Sequence, residues 1–232
     1  MKISFWSRLI DIIAPRACVI CGNRLAIAEN TICTVCNMHI PRTQFFKDQY
    51  NNEMAKLFWG QIPIEKGVAL FYYEGHSQVS NIIYTLKYGN QPDIGVKMGR
   101  IVAKEYYGND FFNDIDMIIP IPLAKKRLRK RGYNQSMEIA KGVNEITDIP
   151  IAGNIVSRQA FVGSQTDKDR WGRMKNVEGV FHLDTPEKIR GKHLLIIDDV
   201  VTTGATVISC AKELTKAGNV KISVLSLGFA KS

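Results

Sequence analysis

The sequence predicts an α/β protein whose mostly parallel, doubly wound sheet is preceded by a small cysteine-rich segment. Three observations support this prediction. Strand and helix patterns alternate from about residue 67 onward, which is typical of a parallel sheet with helices on both faces. Residues 193–197 form an unbroken apolar run, as expected for a strand buried on both sides. Four of the five cysteines form two CxxC pairs near the N-terminus.

The composition is that of a globular protein with one full domain and a small appendage. The chain has 232 residues, 45% of them hydrophobic, so it can bury a substantial core. No run of 18 apolar residues occurs, and charges interrupt the apolar residues near the N-terminus. We therefore expect neither a transmembrane helix nor a secretory signal. The net charge of +9 predicts anionic partners: phosphorylated small molecules, nucleic acid or acidic lipid.

Four segments follow one another along the chain. Residues 1–14 can form a short helix with one apolar face, made by Phe5, Leu9, Ile12 and Ile13. This face packs on the protein itself or touches a membrane or a partner. Residues 15–41 hold the cysteine pairs, and residues 42–66 are expected to form a connector with one short helix. Residues 67–232 form the α/β domain.

Within the α/β domain the strands and helices can be placed in order. We predict strands at residues 68–73, 115–121, 193–197 and 220–227. We predict helices at residues 77–88, 94–107, 135–146 and 205–217. Asn134 is expected to cap the third of these helices, and Gly218 to end the fourth.

The cysteine pairs predict a metal site. Cys18, Cys21, Cys33 and Cys36 offer four thiolates that can close a tetrahedron around Zn²⁺. So short a segment buries little apolar surface, and a metal would supply the missing stability. A redox pair is the competing interpretation, but redox sites normally have a single CxxC on a βαβ fold. We predict one structural zinc ion and a reducing, cytoplasmic compartment, with Cys210 a core residue of the last helix.

The strongest functional signal lies where the apolar run at residues 193–197 ends. Asp198 and Asp199 are followed by a short Thr/Gly loop and then a helix, with hydroxyl donors at Thr202, Thr203 and Thr206. Unpaired N–H groups at a helix N-terminus can bind a phosphate, and Gly204 would let the backbone approach it without a Cβ in the way. Carboxylates repel phosphate, so the two aspartates are expected to accept hydrogen bonds from ribose hydroxyls or metal-bound water.

A second cluster of charge follows the strand predicted at residues 115–121. Six cations lie within seven positions with no acid among them: Lys125, Lys126, Arg127, Arg129, Lys130 and Arg131. We predict a basic loop that is either solvated or faces a ligand at the end of the strand. Guanidinium groups can bind phosphate oxygens bidentately, but the spacing does not show which cations face the site.

The segment IIDDVVTTGAT resembles the binding motif for 5-phosphoribosyl-1-pyrophosphate (PRPP) in type I phosphoribosyltransferases. The resemblance implies that fold, a Mg²⁺-dependent PRPP site, and aspartates that orient the ribose above a loop that holds the 5-phosphate. The implied PRPP-binding residues are Asp198, Asp199, Val200, Val201, Thr202, Thr203, Gly204, Ala205 and Thr206. The implied pyrophosphate-binding residues are Lys125, Lys126, Arg127, Arg129 and Arg131.

The polar, arginine-containing segment at residues 157–180 resembles the flexible region that covers the site in this family. Its motif positions would be Arg158, Gln165, Arg170 and Asn176. A solvated surface loop is the alternative interpretation.

These motifs, with LKYG at residues 86–89, resemble the ComF family of competence-associated proteins along nearly the whole chain. The resemblance implies a role in natural transformation, in the handling of incoming single-stranded DNA, with other competence proteins as partners. Candidate DNA contacts are Lys125, Lys126, Arg129, Lys130 and Arg131, with Tyr133 and Trp171 placed to stack bases. The same cations would instead serve pyrophosphate if they face the pocket.

Three functions remain open at this point. The first is an active phosphoribosyltransferase of unknown acceptor. The second is an adaptor that keeps PRPP or phosphate recognition without catalysis. The third possibility is a PRPP-sensing regulator of transcription. Fold alone does not decide among them.

Overall fold

The computed structural model describes residues 15–159 and 180–231 of the chain. The predicted helix at residues 1–14 lies outside the described residues. So do four side chains singled out above: Gln165, Arg170, Trp171 and Asn176.

The main sheet has four strands, all parallel. The strands are β1 (Lys66–Tyr72), β2 (Met117–Pro120), β5 (His193–Val201) and β6 (Lys221–Phe229), in the spatial order β1-β6-β5-β2. Two further strands, β3 (Val156–Arg158) and β4 (Phe181–Leu183), form an antiparallel ribbon. The central strand β5 carries the predicted apolar run, and its residues 194–197 are fully buried. The predicted α/β class with a parallel sheet is confirmed.

Two short helices precede β1, and from β1 onward helices alternate with the strands of the main sheet, as the sequence pattern predicts. They are α1 (Thr34–His39), α2 (Glu53–Lys56), α3 (Ser80–Tyr88), α4 (Pro92–Tyr107), α5 (Lys125–Arg131), α6 (Gln135–Thr147) and α7 (Ala205–Thr215). Short 3₁₀-helices lie at Phe45–Lys47 and Pro186–Lys188. The side chain of Asn134 caps α6 as predicted, by accepting a hydrogen bond from the Ser136 N–H. None of the described helices has the length and apolar character needed to cross a bilayer.

Helices α4 and α6 lie unusually close to each other because two glycines face across their contact. A Cβ on Gly142 would overlap the carbonyl oxygen of Val96, and a Cβ on Gly99 would overlap that of Ile139. The chain therefore uses side-chain-free positions to bring these two backbones together.

The two strands β2 and β5 are neighbours, but the chain leaves them in opposite directions. After β2 it runs through α6 to Ile151, which forms a parallel bridge with Ile118 on the outer side of β2. After β5 it runs through α7 to β6, on the other side of β5. Diverging connections of this kind leave a crevice at the carboxyl ends of the two strands, where α/β proteins bind ligands. Both charged clusters of the sequence lie at this crevice.

The predicted basic loop at residues 125–131 is wrong, because these residues form helix α5. Lys, Arg and Leu all favour helices. Gly132, with a φ of 80°, ends the helix in the left-handed conformation and donates its N–H to the Leu128 carbonyl at 2.8 Å. Helical periodicity, and not extended chain, therefore decides which way each cation points.

The segment predicted as a connector contributes to the core. It holds a 3₁₀-helix and α2 in place of one short helix, and Met54, Ala55 and Phe58 in it are fully buried. The cysteine segment also packs on the domain: Ile20 and Leu25 join the main core. In addition, the Asn81 amide on α3 donates to the Ile20 carbonyl at 2.9 Å.

Candidate functional site

A polar cavity of about 350 Å³ lies at the carboxyl ends of β2 and β5. Four cationic and two acidic side chains line it: Lys87, Arg127, Arg131, Arg158, Asp198 and Asp199. The uncharged lining residues include Tyr73, Gln135, Ser136, Thr202 and Thr206. The excess of cations makes the cavity suited to a ligand with several negative charges.

The two aspartates lie at the end of β5 but have different surroundings. Asp199 forms an ion pair with Lys87, whose Nζ lies 3.0 Å from its Oδ1. Asp198 accepts hydrogen bonds from its neighbour's backbone N–H at 2.8 Å and from the Ser136 hydroxyl at 3.2 Å. Burial and the adjacent Asp199 carboxylate nevertheless raise the pKa of Asp198 to about 7. The pair therefore offers one acceptor paired with a lysine and one whose pKa is raised by burial and by its neighbour.

The Thr/Gly loop leads from the aspartates into α7. Gly204 precedes the helix with a φ of 74°, a conformation that favours glycine. A Cβ at this position would lie 3.0 Å from the Phe58 ring. Gly204 thus supplies a left-handed turn that packs against Phe58. Thr202 and Thr206 line the cavity beside the start of α7, where backbone N–H groups lack helical partners.

Only part of the basic cluster meets the acidic pair. Arg127 and Arg131 are one helical turn apart on α5 and both line the cavity. The lining does not include Lys125, Lys126, Arg129 or Lys130, all of which are exposed. Of the five predicted pyrophosphate-binding residues, Arg127 and Arg131 therefore line the cavity.

A second cavity, of about 720 Å³, adjoins the first. It shares Lys87, Arg127 and Arg131 with the first cavity and adds Arg129, Lys130, Tyr88 and Tyr133. The Arg131 guanidinium lies over the Tyr88 ring, 5.5 Å from its centroid. Tyr84 and Tyr88 are both 65% exposed, with ring centroids 5.0 Å apart. Basic and aromatic groups thus continue from the polar cavity onto the surface.

Four polar residues that line the cavity were not predicted as site residues. Lys87 comes from α3, Ser136 and Gln135 come from the first turn of α6, and Tyr73 follows β1. Gln135 is 2% exposed; its Oε1 accepts from Arg131 at 2.6 Å, and its Nε2 has no partner among the described residues. A signal for two of them exists, since Lys87 lies in the LKYG motif and Gln135 follows the cap residue Asn134.

Arg158 of the predicted flexible region lies at the end of β3 and lines the cavity. Its guanidinium lies over the Phe181 ring, 5.3 Å from the centroid. Burial and the nearby Arg127 lower the pKa of Arg158, and Asp198 opposes this shift. An anionic ligand bound between these two arginines would relieve their mutual repulsion.

The four predicted zinc cysteines lie together. Their sulfur atoms are within 4.8 Å of one another, and the Cys21 and Cys33 sulfurs are 3.9 Å apart. A tetrahedral site with Zn–S bonds of about 2.3 Å needs sulfur separations of roughly 3.8 Å, so the cluster has the dimensions of a metal site. Burial raises the pKa of Cys18, but N–H donors of Cys21, Cys33 and Ile20 outweigh it and lower the pKa to about 7. Four cysteines close enough to hold a metal ion are thus confirmed.

Comparison with known proteins finds similar sequences among competence and DNA utilization proteins. No protein-family profile matches the chain. Competence protein F of Haemophilus influenzae is 27% identical over 223 residues, covering 92% of this chain and 96% of that protein. The chain is thus similar to a competence protein over nearly its whole length. The DNA utilization protein YhgH of Escherichia coli K12 is 25% identical, with the same coverage. The resemblance inferred from the motifs is confirmed.

Solved structures that resemble part of the chain include phosphoribosyltransferases. Another is the glutamine phosphoribosylpyrophosphate amidotransferase of Bacillus subtilis complexed with ADP and GMP, which is 17% identical. The match has a TM-score of 0.38 and covers 58% of this chain and 26% of that one. This likeness concerns the fold alone.

Proposed function

We propose that the chain binds PRPP with Mg²⁺ and transfers its phosphoribosyl group to an acceptor during competence-related handling of DNA. The observation that supports this proposal best is the single cavity that joins the acidic pair, the Thr/Gly loop and two α5 arginines. PRPP has a ribose with two hydroxyls between a phosphate and a pyrophosphate, so a site for it needs acceptors between two anion-binding regions. The cavity is lined by groups suited to each of these parts.

Each part of the cavity would bind one part of the ligand. Asp198 and Asp199 would accept hydrogen bonds from the ribose hydroxyls. The N-terminus of α7, with Thr202 and Thr206, would hold the 5-phosphate. Arg127 and Arg131 would bind the pyrophosphate and stabilise the negative charge that develops as it leaves. Such a reaction depends on orientation and electrostatics, and it requires no covalent intermediate with the protein.

The carboxylates fit Mg²⁺ when the ion arrives with its ligand. Mg²⁺ prefers oxygen donors and is usually held by one or two carboxylates together with substrate phosphates. Asp198 and Asp199 supply such oxygens, while Lys87 already compensates the charge of Asp199. When bound, the ion would neutralise phosphate charge, and the chain's own residues would orient the ribose.

Calorimetry and a pyrophosphate-release assay test this proposal. PRPP should bind in the presence of Mg²⁺, and incubation with a panel of nucleobases should release pyrophosphate above background. Binding without release on the whole panel would favour the alternative of a non-catalytic PRPP or phosphate adaptor. Failure to bind PRPP at all would reject both.

A second function, binding of single-stranded DNA, is favoured by the surface beside the cavity. Arg129 and Lys130 of α5 line the adjoining cavity together with Tyr88. The Tyr88 ring contacts that of Tyr84, and both rings are open to solvent. Lys125 and Lys126 are exposed on the same helix. Basic grooves with exposed aromatic rings bind single strands through phosphates and base stacking. Competition would show whether the two ligands share cations: PRPP displaces DNA if Arg127 and Arg131 serve both, and leaves it bound if they do not.

We further propose that the cysteine cluster holds one structural zinc ion, in a cytoplasmic protein whose thiols stay reduced. Metal analysis should find one zinc per chain. Cys18→Ser should loosen residues 15–41 more than the sheet, measured as faster amide hydrogen exchange there. A segment that stays protected from exchange in metal-free protein would reject the zinc assignment. Under this proposal residues 15–41 are a metal-dependent unit attached to a phosphoribosyltransferase-like domain at residues 67–232.

A further inference from the structure

The ion pair between Lys87 and Asp199 places a cation inside the acidic part of the cavity. Lys87 lies in the last turn of α3, and its Nζ is 3.0 Å from Asp199 Oδ1. The Asp199 side chain is 11% exposed and that of Lys87 is 27% exposed, so the pair is largely shielded from solvent. At this burial the pair is held by more than weak surface attraction.

The two carboxylates need such a cation when no ligand is present. Adjacent carboxylates in a shielded site either take up a proton or recruit a metal ion. Here the ammonium of Lys87 occupies one of the two acceptors that the ribose would use. Asp198 has no ion pair of its own among the described residues and relies on Ser136 and a backbone N–H.

Lys87 also reaches the anion-binding side of the cavity. It lines both the polar cavity and the adjoining one, and in both it does so together with Arg127 and Arg131. The flexible stem of lysine allows its ammonium to turn from one partner to another. The side chain is thus placed between the acidic pair and the two arginines.

We propose that Lys87 is the resident counter-ion of the acidic pair and exchanges partners when the ligand binds. In the ligand-free protein its ammonium neutralises Asp199 and keeps a free divalent cation from binding there. When PRPP enters, the ammonium turns to the pyrophosphate oxygens, and Asp199 is released to the ribose hydroxyls. The divalent cation therefore enters with the ligand and not before it. This inference rests on the proposed function for the second step only, because the first step concerns the ligand-free protein.

The first step is tested with Mn²⁺ as a probe, titrated into ligand-free protein at pH 8 and followed by electron paramagnetic resonance. Lys87→Met keeps the length of the side chain and removes its charge, and it should bind Mn²⁺ at least about tenfold more tightly than the parent. Lys87→Arg should bind as weakly as the parent. Adding Asp199→Asn to Lys87→Met should abolish the gain. A Lys87→Met variant that melts like the parent and binds Mn²⁺ no more tightly would overturn the proposal.

The second step is tested by PRPP affinity at saturating Mg²⁺, measured by calorimetry on the same variants. Lys87→Met should weaken binding at least about tenfold, and Lys87→Arg should restore most of the loss. If Lys87→Met gains Mn²⁺ affinity but binds PRPP like the parent, the exchange of partners is rejected. If the parent itself does not bind PRPP, the proposed function fails, whereas the Mn²⁺ result still decides the counter-ion step.

Discussion

The acidic end of β5 and the basic helix α5, which follows the neighbouring strand β2, contribute charges to one cavity. The two regions place their charged side chains in different ways. At β5 a buried strand fixes the backbone, so consecutive residues Asp198 and Asp199 reach the cavity directly. On α5 the helical period decides which cations face the cavity. Only Arg127 and Arg131 of this helix line it, and the other four cations are exposed. At a strand end, the place of a residue in the sequence is thus enough to bring its charge to the cavity. On a short helix, the helical period decides which charges reach it.

The largest expected effect tests the loop that follows the acidic end. Thr206→Glu places a carboxylate at the N-terminus of α7, where the helix dipole favours it and folding is retained. Two unit charges about 4 Å apart repel by roughly 4 kcal/mol at an effective dielectric constant of about 20. PRPP affinity should therefore fall about 1000-fold in calorimetry. Thr206→Gln, of equal size and uncharged, is the control. Equal losses of PRPP affinity in both variants would show that the size of the side chain, and not its charge, weakens binding there.

The next effect compares two pairs of cations on α5. The double variant Arg127→Ala/Arg131→Ala should weaken PRPP binding at least about 100-fold, because two charge-assisted hydrogen bonds of roughly 1.5 kcal/mol or more each are lost. Lys125→Ala/Lys126→Ala removes the same charge from the same helix and should change affinity less than about threefold. Similar losses in the two doubles would mean that net charge matters and periodicity does not.

A smaller effect is expected for DNA on the exposed side of α5. Each phosphate contact on a single strand contributes about −0.7 to the slope of log K against log salt. Lys125→Ala/Lys126→Ala/Arg129→Ala should therefore make that slope shallower by up to about 2, measured by fluorescence anisotropy at several salt concentrations. An unchanged slope in the triple variant would remove α5 from the DNA surface.

The smallest effect concerns the stability of the acidic end. The pKa of Asp198 is raised to about 7 in the folded protein, so the unfolded chain gives up this proton at lower pH. Stability is consequently lost as the pH rises from about 4 to 7. Asp198→Asn avoids the loss and should raise Tm by roughly 2–6 °C at pH 8. The gain should vanish below about pH 3, where the carboxyl is protonated in both states. A gain of equal size at both pH values would contradict the assigned pKa.

The sequence predicted well what depends on local pattern. The apolar run at residues 193–197, the cap at Asn134 and the metal-like spacing of the cysteines were all recognised, because each is encoded by neighbours in the chain. The sequence did not predict features that lack a clear local pattern. The basic segment was taken for a loop because its lack of apolar periodicity hid a helix that is exposed on nearly all sides.

Residues that reach the cavity from distant elements could not be identified by spacing. Lys87 is 112 positions from Asp199 and meets it only because α3 ends near the carboxyl end of β5. The position of Phe58, which packs beside Gly204, is likewise set by a segment that has no clear period in the sequence. Contacts of this kind depend on how the elements pack, which no local pattern specifies.

The nine-residue helix α3 has a structural consequence for the cysteine segment. Near its start Asn81 holds the Ile20 carbonyl, between the first two cysteines, and near its end Lys87 holds Asp199. The two side chains are six residues apart, about 9 Å along the helix axis. α3 therefore contacts the cysteine segment near its start and the candidate ligand cavity near its end. The cysteine segment thus packs against the same helix that supplies Lys87 to the cavity.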